Sequence, residues 1–299
     1  MMKDQAERLR LMAKSLKTRI ENDLVRGMKH TRVVVVTSGK GGVGKTNLAL
    51  NLALALAESG LRIVLLDADM GLANVDIILG LAPKYNLYHV IRGEKGIKEI
   101  ILHGPCGLEI IPGGSGIQEL ANLPEEALQA VIRDLGRLDG EYDLMIIDTG
   151  AGISNSVLSY VTAADDIVVV TTPEPTSLTD AYGIIKAASN RQARGAVYIV
   201  VNRVETETEG ILVAQKLISV GERFLGVEMK LLGCLVEDRA VEVAVKNQQP
   251  FLVSHPNSQV SRNVRDIARK LHDKSGGDKV PVKASGLRSF FRNLTSFLR

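Results

Sequence analysis

The stretch that most constrains the fold is Gly39-Lys40-Gly41-Gly42-Val43-Gly44-Lys45-Thr46, between the apolar run Val33–Val36 and a helix-compatible run from Thr46 to Glu58. Eight residues with four glycines form no regular element, so the chain must turn here between a strand and a helix. Their spacing fits GxxxxGK[ST], the phosphate-binding P-loop, and the strand before and helix after supply its structural context. The glycines let successive backbone N–H groups turn inward around phosphate oxygens, and the helix behind presents its positive N-terminus. Gly39, Lys40, Gly41, Gly42, Val43, Gly44, Lys45, Thr46 and Asn47 are therefore the expected nucleotide contacts. Lys45 is expected on the terminal phosphates and the Thr46 hydroxyl on Mg²⁺.

Further apolar runs, Ile63–Leu66, Leu144–Ile147, Ile167–Val170 and Val197–Val201, are rich in β-branched residues and free of charge. Strands covered by helices on both faces read this way. Helical patterns lie between them at Glu125–Leu138, Thr179–Ser189 and Val213–Phe224. Leu231–Leu235 adds a strand and Asn257–Leu271 a closing helix. The expected fold is α/β, a doubly wound and mostly parallel sheet.

Two of the strands end in acids. Leu65-Leu66-Asp67-Ala68-Asp69 places two carboxylates one residue apart at the sheet edge where ligands of such folds bind. Ile146-Ile147-Asp148-Thr149-Gly150-Ala151-Gly152 is Walker-B-like: Asp148 is expected to hold Mg²⁺, directly or through water, and its glycines allow a switch loop to move. Val200-Val201-Asn202-Arg203 ends another strand, and an Asn amide can pair with N6 and N7 of adenine. The guanine-type Asn-Lys-x-Asp is replaced here by Asn202-Arg203-Val204-Glu205.

Charge is distributed unevenly. The net +3 of 299 residues conceals nine Lys and Arg against four Asp and Glu in residues 1–32, and five against none in residues 279–299. The stretch between has 23 against 30, an acidic body. Cys106 and Cys234 stand far apart without a CxxC, which rules out a disulfide framework and favours a reducing, cytoplasmic setting. No apolar run approaches the ~20 residues that cross a bilayer, and the N-terminus is too charged for a signal peptide.

The two basic ends are expected to be appendages. Residues 3–29 carry Leu9, Met12, Leu16, Ile20 and Leu24 at helical spacing. Residues 274–286 have linker composition. From 287 to 299, Leu287, Phe290, Phe291, Leu294, Phe297 and Leu298 fall within about 120° on a helix, with Arg288, Arg292 and Arg299 on its flank. That composition suits a helix lying on an anionic membrane surface. A helix docked on its own domain is the competing reading; the linker and the basic flank count against it.

The second lysine of the loop, Lys40, carries a resemblance to the MinD/ParA class of deviant Walker A ATPases, which covers residues 32 to roughly 273. The resemblance implies ATP with Mg²⁺ and an ATP-dependent homodimer in which Lys40 reaches the partner's nucleotide. It further implies that Asp69 positions the attacking water with Asp67 nearby on the metal side, and that Lys40, Lys45 and Asp69 form the catalytic set. The missing CxxC argues against the iron–sulfur carriers of this fold. The acidic body argues against non-specific DNA binding, so nucleic acid is not an expected partner.

Asp4-Gln5-Ala6-Glu7-Arg8-Leu9-Arg10 matches the DQAxxLR motif of the FlhG family (FleN, YlxH), and the stretches 67–76 and 173–180 are similar too. The likeness implies control of flagellar number and placement at the inner face of the cell membrane. Implied partners are the GTPase FlhF, met by Asp4, Gln5, Ala6, Leu9 and Arg10 with Gln5 stimulating hydrolysis, and flagellar basal-body switch components. The expected organisation is 1–30 motif helix, 31–273 ATPase domain, 274–286 linker and 287–299 membrane helix. A division-site or partition ATPase is the alternative, with a cluster-assembly scaffold behind it.

Overall fold

The apolar runs become the middle of one eight-stranded sheet in the computed structural model, which describes residues 30–69, 75–114, 120, 123–193, 195–273 and 286–298. The strands are β1 (Arg32–Ser38), β2 (Ile63–Ala68), β3 (Leu102–His103), β4 (Glu109–Pro112), β5 (Leu144–Ala151), β6 (Asp166–Thr171), β7 (Ala196–Val204) and β8 (Met229–Val236). Their order is β3-β4-β2-β5-β1-β6-β7-β8, parallel throughout except for the short β3–β4 pair. The helices are α1 (Lys45–Glu58), α2 (Val75–Leu79), α3 (Leu87–Ile91), α4 (Glu125–Leu135), α5 (Asn155–Ala163) and α6 (Pro175–Asn190). They continue as α7 (Glu207–Leu225), α8 (Arg239–Lys246), α9 (Phe251–Ser254), α10 (Gln259–Asp273) and α11 (Leu287–Leu298).

Alternate residues of each strand serve opposite layers. Val33 and Val35 face the layer of α3 to α7 and α11, while Val34 and Val36 face that of α1, α2 and α8 to α10. Both faces are covered, which is why the strands read as unbroken apolar runs. Helix α1 is apolar almost all round, buried from Leu48 to Leu56. Asn51, its one polar residue in that stretch, is bonded at both ends of its amide: Nδ2 donates to Asn47 O (2.8 Å) and Oδ1 accepts from Leu252 N (2.9 Å).

Helices α6 and α7 start earlier than the apolar period suggests. Their first turns are polar and are set by end chemistry instead, Pro175 at the first helical position and Thr206 accepting from Glu209 N. At the other end of α4, residues 136–138 form a separate 3₁₀ turn and not a continuation of the helix.

The tail is docked on the body. It is a helix, α11, but Leu287, Phe290, Phe291 and Leu294 are at most 3% exposed and belong to the core, packed on α5 and α4. Phe290 and Phe291 meet edge to face, centroids 5.2 Å apart. The competing reading of a helix docked on its own domain is the one this structure shows. Four long apolar side chains in one stripe suit a groove as well as a lipid surface, and here the groove takes them. Phe297 alone of the described stripe is substantially exposed, at 40%. No helix among the described residues is long and apolar enough to cross a membrane. The DQAxxLR residues, the linker up to residue 285 and the Leu298 side chain lie outside what is described.

Candidate functional site

Strand β1 lies between β5 and β6, and the chain leaves it towards β2 on one side while β6 to β8 build the other. Such a switch point opens a crevice at the carboxyl ends of the strands. The Gly39–Thr46 loop leaves β1 there. Register brings the acids to it: Val36 pairs with Asp148 across β1 and β5, and Asp67 pairs with Asp148 across β2 and β5.

Gly42 and Gly44 take φ of +78° and +93°, which side chains other than glycine rarely adopt. A Cβ on Gly41 or Gly42 would meet nothing within 4 Å, so this side of the loop borders open space. A Cβ on Gly44 would lie 2.2 Å from Asn202 Nδ2. That amide donates to Val43 O (2.7 Å), so Asn202 braces the loop from 159 residues away. Arg203 beside it has φ +57°.

Lys45 is buried, its Nζ 3.0 Å from Asp148 Oδ1 and 4.0 Å from Asp69 Oδ2. Asp148 is fully buried. Burial pushes its carboxyl above the usual range, opposed first by the charge of Lys45 and then by hydrogen bonds from Thr46 and Lys45. Its Oδ2 has no hydrogen-bond partner. Asp67 accepts from Asp69 N and Val75 N, both at 3.2 Å. Burial, with the charge of Asp148 second, raises its carboxyl to about 7. A buried carboxylate oxygen without a partner, a second acid beside it, the Thr46 hydroxyl and an open glycine loop together fit a magnesium nucleotide.

The expected residues Lys45, Thr46, Asp67, Asp69 and Asp148 thus meet at one edge. Lys40 does not join them. Its Nζ lies 2.6 Å from Glu174 Oε2 and 3.1 Å from Thr176 Oγ1, at the start of α6. The hydrogen bond and charge of Lys40 hold the Glu174 carboxyl below its ordinary value. Glu174 and Thr176 were visible in sequence only as part of a similar segment, without a role. Asp180 from the same segment closes on the loop: a Cβ on Gly39 would lie 2.0 Å from its carbonyl oxygen.

A family profile described as "AAA domain" matches residues 31–196. Antiactivator FleN of Pseudomonas aeruginosa is 40% identical over 244 residues, 82% of this chain and 87% of that protein. Flagellum site-determining protein YlxH of Helicobacter pylori is 34% identical over 271 residues, 90% and 91% of the two chains. Among solved structures, the MinD cell division protein of Aquifex aeolicus superposes with TM-score 0.66 at 27% identity, covering 85% of this chain and all of that one. MinD of Pyrococcus horikoshii complexed with Mg-ADP has the same fold, TM-score 0.66 at 23% identity, over 85% of this chain and all of that one.

Fold and site together define a P-loop ATPase of the MinD/ParA type, an ATP-hydrolysing enzyme. Within that class, the chain belongs to the FlhG family, the one also called FleN or YlxH.

Proposed function

We propose that this ATPase is a dimerising switch that regulates flagellar number and placement, and that it visits an anionic membrane surface in its ATP state. The flagellar output rests on similarity to proteins named for flagellar site determination and antiactivation. The switch rests on one observation above all. Lys40 is a P-loop lysine turned to Glu174 at the start of α6, while Lys45 occupies the acidic pocket.

Phosphate would compete with Asp148 for Lys45, since both are anions seeking the same buried ammonium. Thr46 and Asp148, with Asp67 beside them, would hold Mg²⁺, which supplies charge neutralisation between the phosphates when bound. Asp69, about a quarter exposed at the mouth of the site, orients the attacking water and accepts its proton. Lys40 exchanges Glu174 for the nucleotide of a second copy, so that hydrolysis waits on dimerisation.

Membrane contact requires α11 to leave its groove. Burying each of its four apolar side chains stabilises docking by roughly 1.5–3 kcal/mol, so only another apolar surface can replace the groove. Basic residues near an anionic leaflet add about 1 kcal/mol each, too little for one tail alone, whereas two tails on a dimer act together. The N-terminal motif stimulates FlhF, with Gln5 as the residue that promotes that partner's hydrolysis.

Co-sedimentation with anionic liposomes tests this reading. The full chain should pellet with a non-hydrolysable ATP analogue and stay in solution with ADP. Lys40→Ala should stay in solution with both. Equal pelleting of the wild type in the two nucleotide states would refute the switch.

A further inference from the structure

The two basic ends of the chain join the body at one side chain, Asp139, which follows the 3₁₀ turn of residues 136–138. Its Oδ1 accepts from Thr31 N (2.9 Å), and its Oδ2 lies 3.1 Å from His30 Nδ1. Thr31 is fully buried; its hydroxyl donates to Tyr142 O (3.0 Å) and accepts from Gly140 N (2.9 Å). The root of the N-terminal segment is thus tied to residues 139–142.

The tail begins on the same pair. Gly286 opens α11, and its carbonyl accepts from Phe290 N (2.9 Å). A Cβ at Gly286 would lie 2.5 Å from Asp139 Oδ2 and 2.9 Å from His30 Nδ1, closer than carbon approaches such atoms. Its φ of +125° also favours glycine. One turn on, the Arg288 side chain closes against the 3₁₀ turn, where a Cβ on Gly136 would meet its Cβ and Nε at 3.3 Å. Helix α11 touches both that turn and β1. With the tail docked, the backbone at Gly286 therefore stands against the His30–Asp139 pair, whose side chains are 21% and 17% exposed. Keeping water from a polar pair strengthens it.

We propose that His30 and Asp139 form a latch shared by the two ends. The docked tail shields the pair, the closed pair supports the first turn of α11, and departure of the tail loosens the root of the segment that carries the DQAxxLR residues. The proposal deepens the switch reading and rests on it only for what releases the tail; the coupling belongs to the docked chain itself. The partner-facing segment is then firmly rooted in one state of the switch and loosely rooted in the other.

Hydrogen exchange on the full chain, without nucleotide or membrane, tests the latch apart from the switch. Phe291→Asp puts a charge into the groove and undocks the tail. Exchange of residues 30–32 should then quicken by about fivefold, the low end of coupling between two sites. His30→Ala removes the ring and leaves Thr31 N its acceptor. Exchange of residues 287–294 should quicken by the same factor, because such coupling is reciprocal. Gly286→Ala keeps the apolar stripe but presses a methyl on the pair, and should quicken residues 30–32 as well. Residues 197–201 of β7 should exchange at the wild-type rate in every variant. Wild-type rates at 30–32 in both Phe291→Asp and Gly286→Ala, or at 287–294 in His30→Ala, overturn the proposal. Equal quickening everywhere, β7 included, also overturns it, since that is loosening of the whole fold. If these factors hold while liposome pelleting ignores the nucleotide, the switch reading fails and the latch stands.

Discussion

Two pairs of carboxylates occupy opposite edges of this sheet, and they are held in opposite ways. At the amino edge, Asp166 takes Arg32 Nε at 2.5 Å, and Asp165 accepts from Val33 N at 2.9 Å. The same guanidinium donates to Leu271 O (3.2 Å), so one arginine ties β1, β6 and the end of α10 together. At the carboxyl edge, the cation facing Asp148 is Lys45, carried by the first turn after a glycine loop, and Asp148 Oδ2 remains unpaired. Both pairs are acids at least half-buried near a basic side chain. The fold supplies partners to one pair, which ties strands together; the other has a buried oxygen left unpaired and can take a ligand. Incomplete pairing, more than residue type, separates a site from a rivet.

The largest expected effects come from removing each cation. Lys45→Ala leaves a buried charge uncompensated and should cost about 3–5 kcal/mol of stability, together with nucleotide binding at any practical concentration. Arg32→Ala should cost stability in the same sense and somewhat less, since Asp166 is buried but its arginine is more exposed than Lys45, yet leave affinity for an ATP analogue within a few-fold. Urea denaturation and calorimetric titration of the two variants check this. Loss of nucleotide binding in Arg32→Ala would break the distinction between the edges.

Next in size is the exposed member of the carboxyl edge. Asp69→Ala should leave ATP binding intact and slow hydrolysis by roughly a hundredfold or more, the range supplied by a positioned proton acceptor. With ATP the variant should accumulate as a dimer by size-exclusion chromatography. A monomer with normal turnover would remove Asp69 from catalysis.

Much of this was legible in the sequence, for reasons that also mark where it stopped. The phosphate loop could be read because its glycines and Lys45 are demanded at fixed spacing by backbone N–H groups that must face one point. The central strands could be read because burial on both faces permits no polar alternation. The tie from Lys40 to Glu174 spans 134 residues and that from Asn202 to Val43 spans 159; no local pattern encodes such pairings. The tail shows a third kind of limit. An amphipathic stripe reports the width of an apolar face, and Phe290, Phe291 and Leu294 present the same stripe to a lipid surface or to the groove on α4 and α5.

The smallest effect tests the comparison through pH. Burial raises the Asp165 carboxyl from 3.8 to about 6 and that of Asp67 from 3.8 to about 7. A carboxyl raised by folding binds its proton more tightly in the native state. Its favourable contribution is therefore full below about pH 4 and is lost as pH rises through the folded value, which is complete for Asp165 sooner than for Asp67. At neutral pH both acids carry the cost of ionisation inside the fold, which scales as about 1.4 kcal/mol per tenfold change in proton affinity before relaxation reduces it. Asp165→Asn keeps an oxygen for Val33 N and removes the charge, so it should raise neutral-pH stability by about 1–2 kcal/mol and flatten the fall between about pH 4 and pH 6. Asp67→Asn should stabilise the nucleotide-free protein in the same sense and extend the flattening to about pH 7. The two must then diverge: Mg²⁺-dependent nucleotide binding survives in Asp165→Asn and weakens in Asp67→Asn, where the stability gained is affinity given up. Denaturation curves at several pH values and a Mg²⁺ titration on each variant decide it. Equal Mg²⁺ affinity in the two variants would show that Asp67 is held by the fold as Asp165 is.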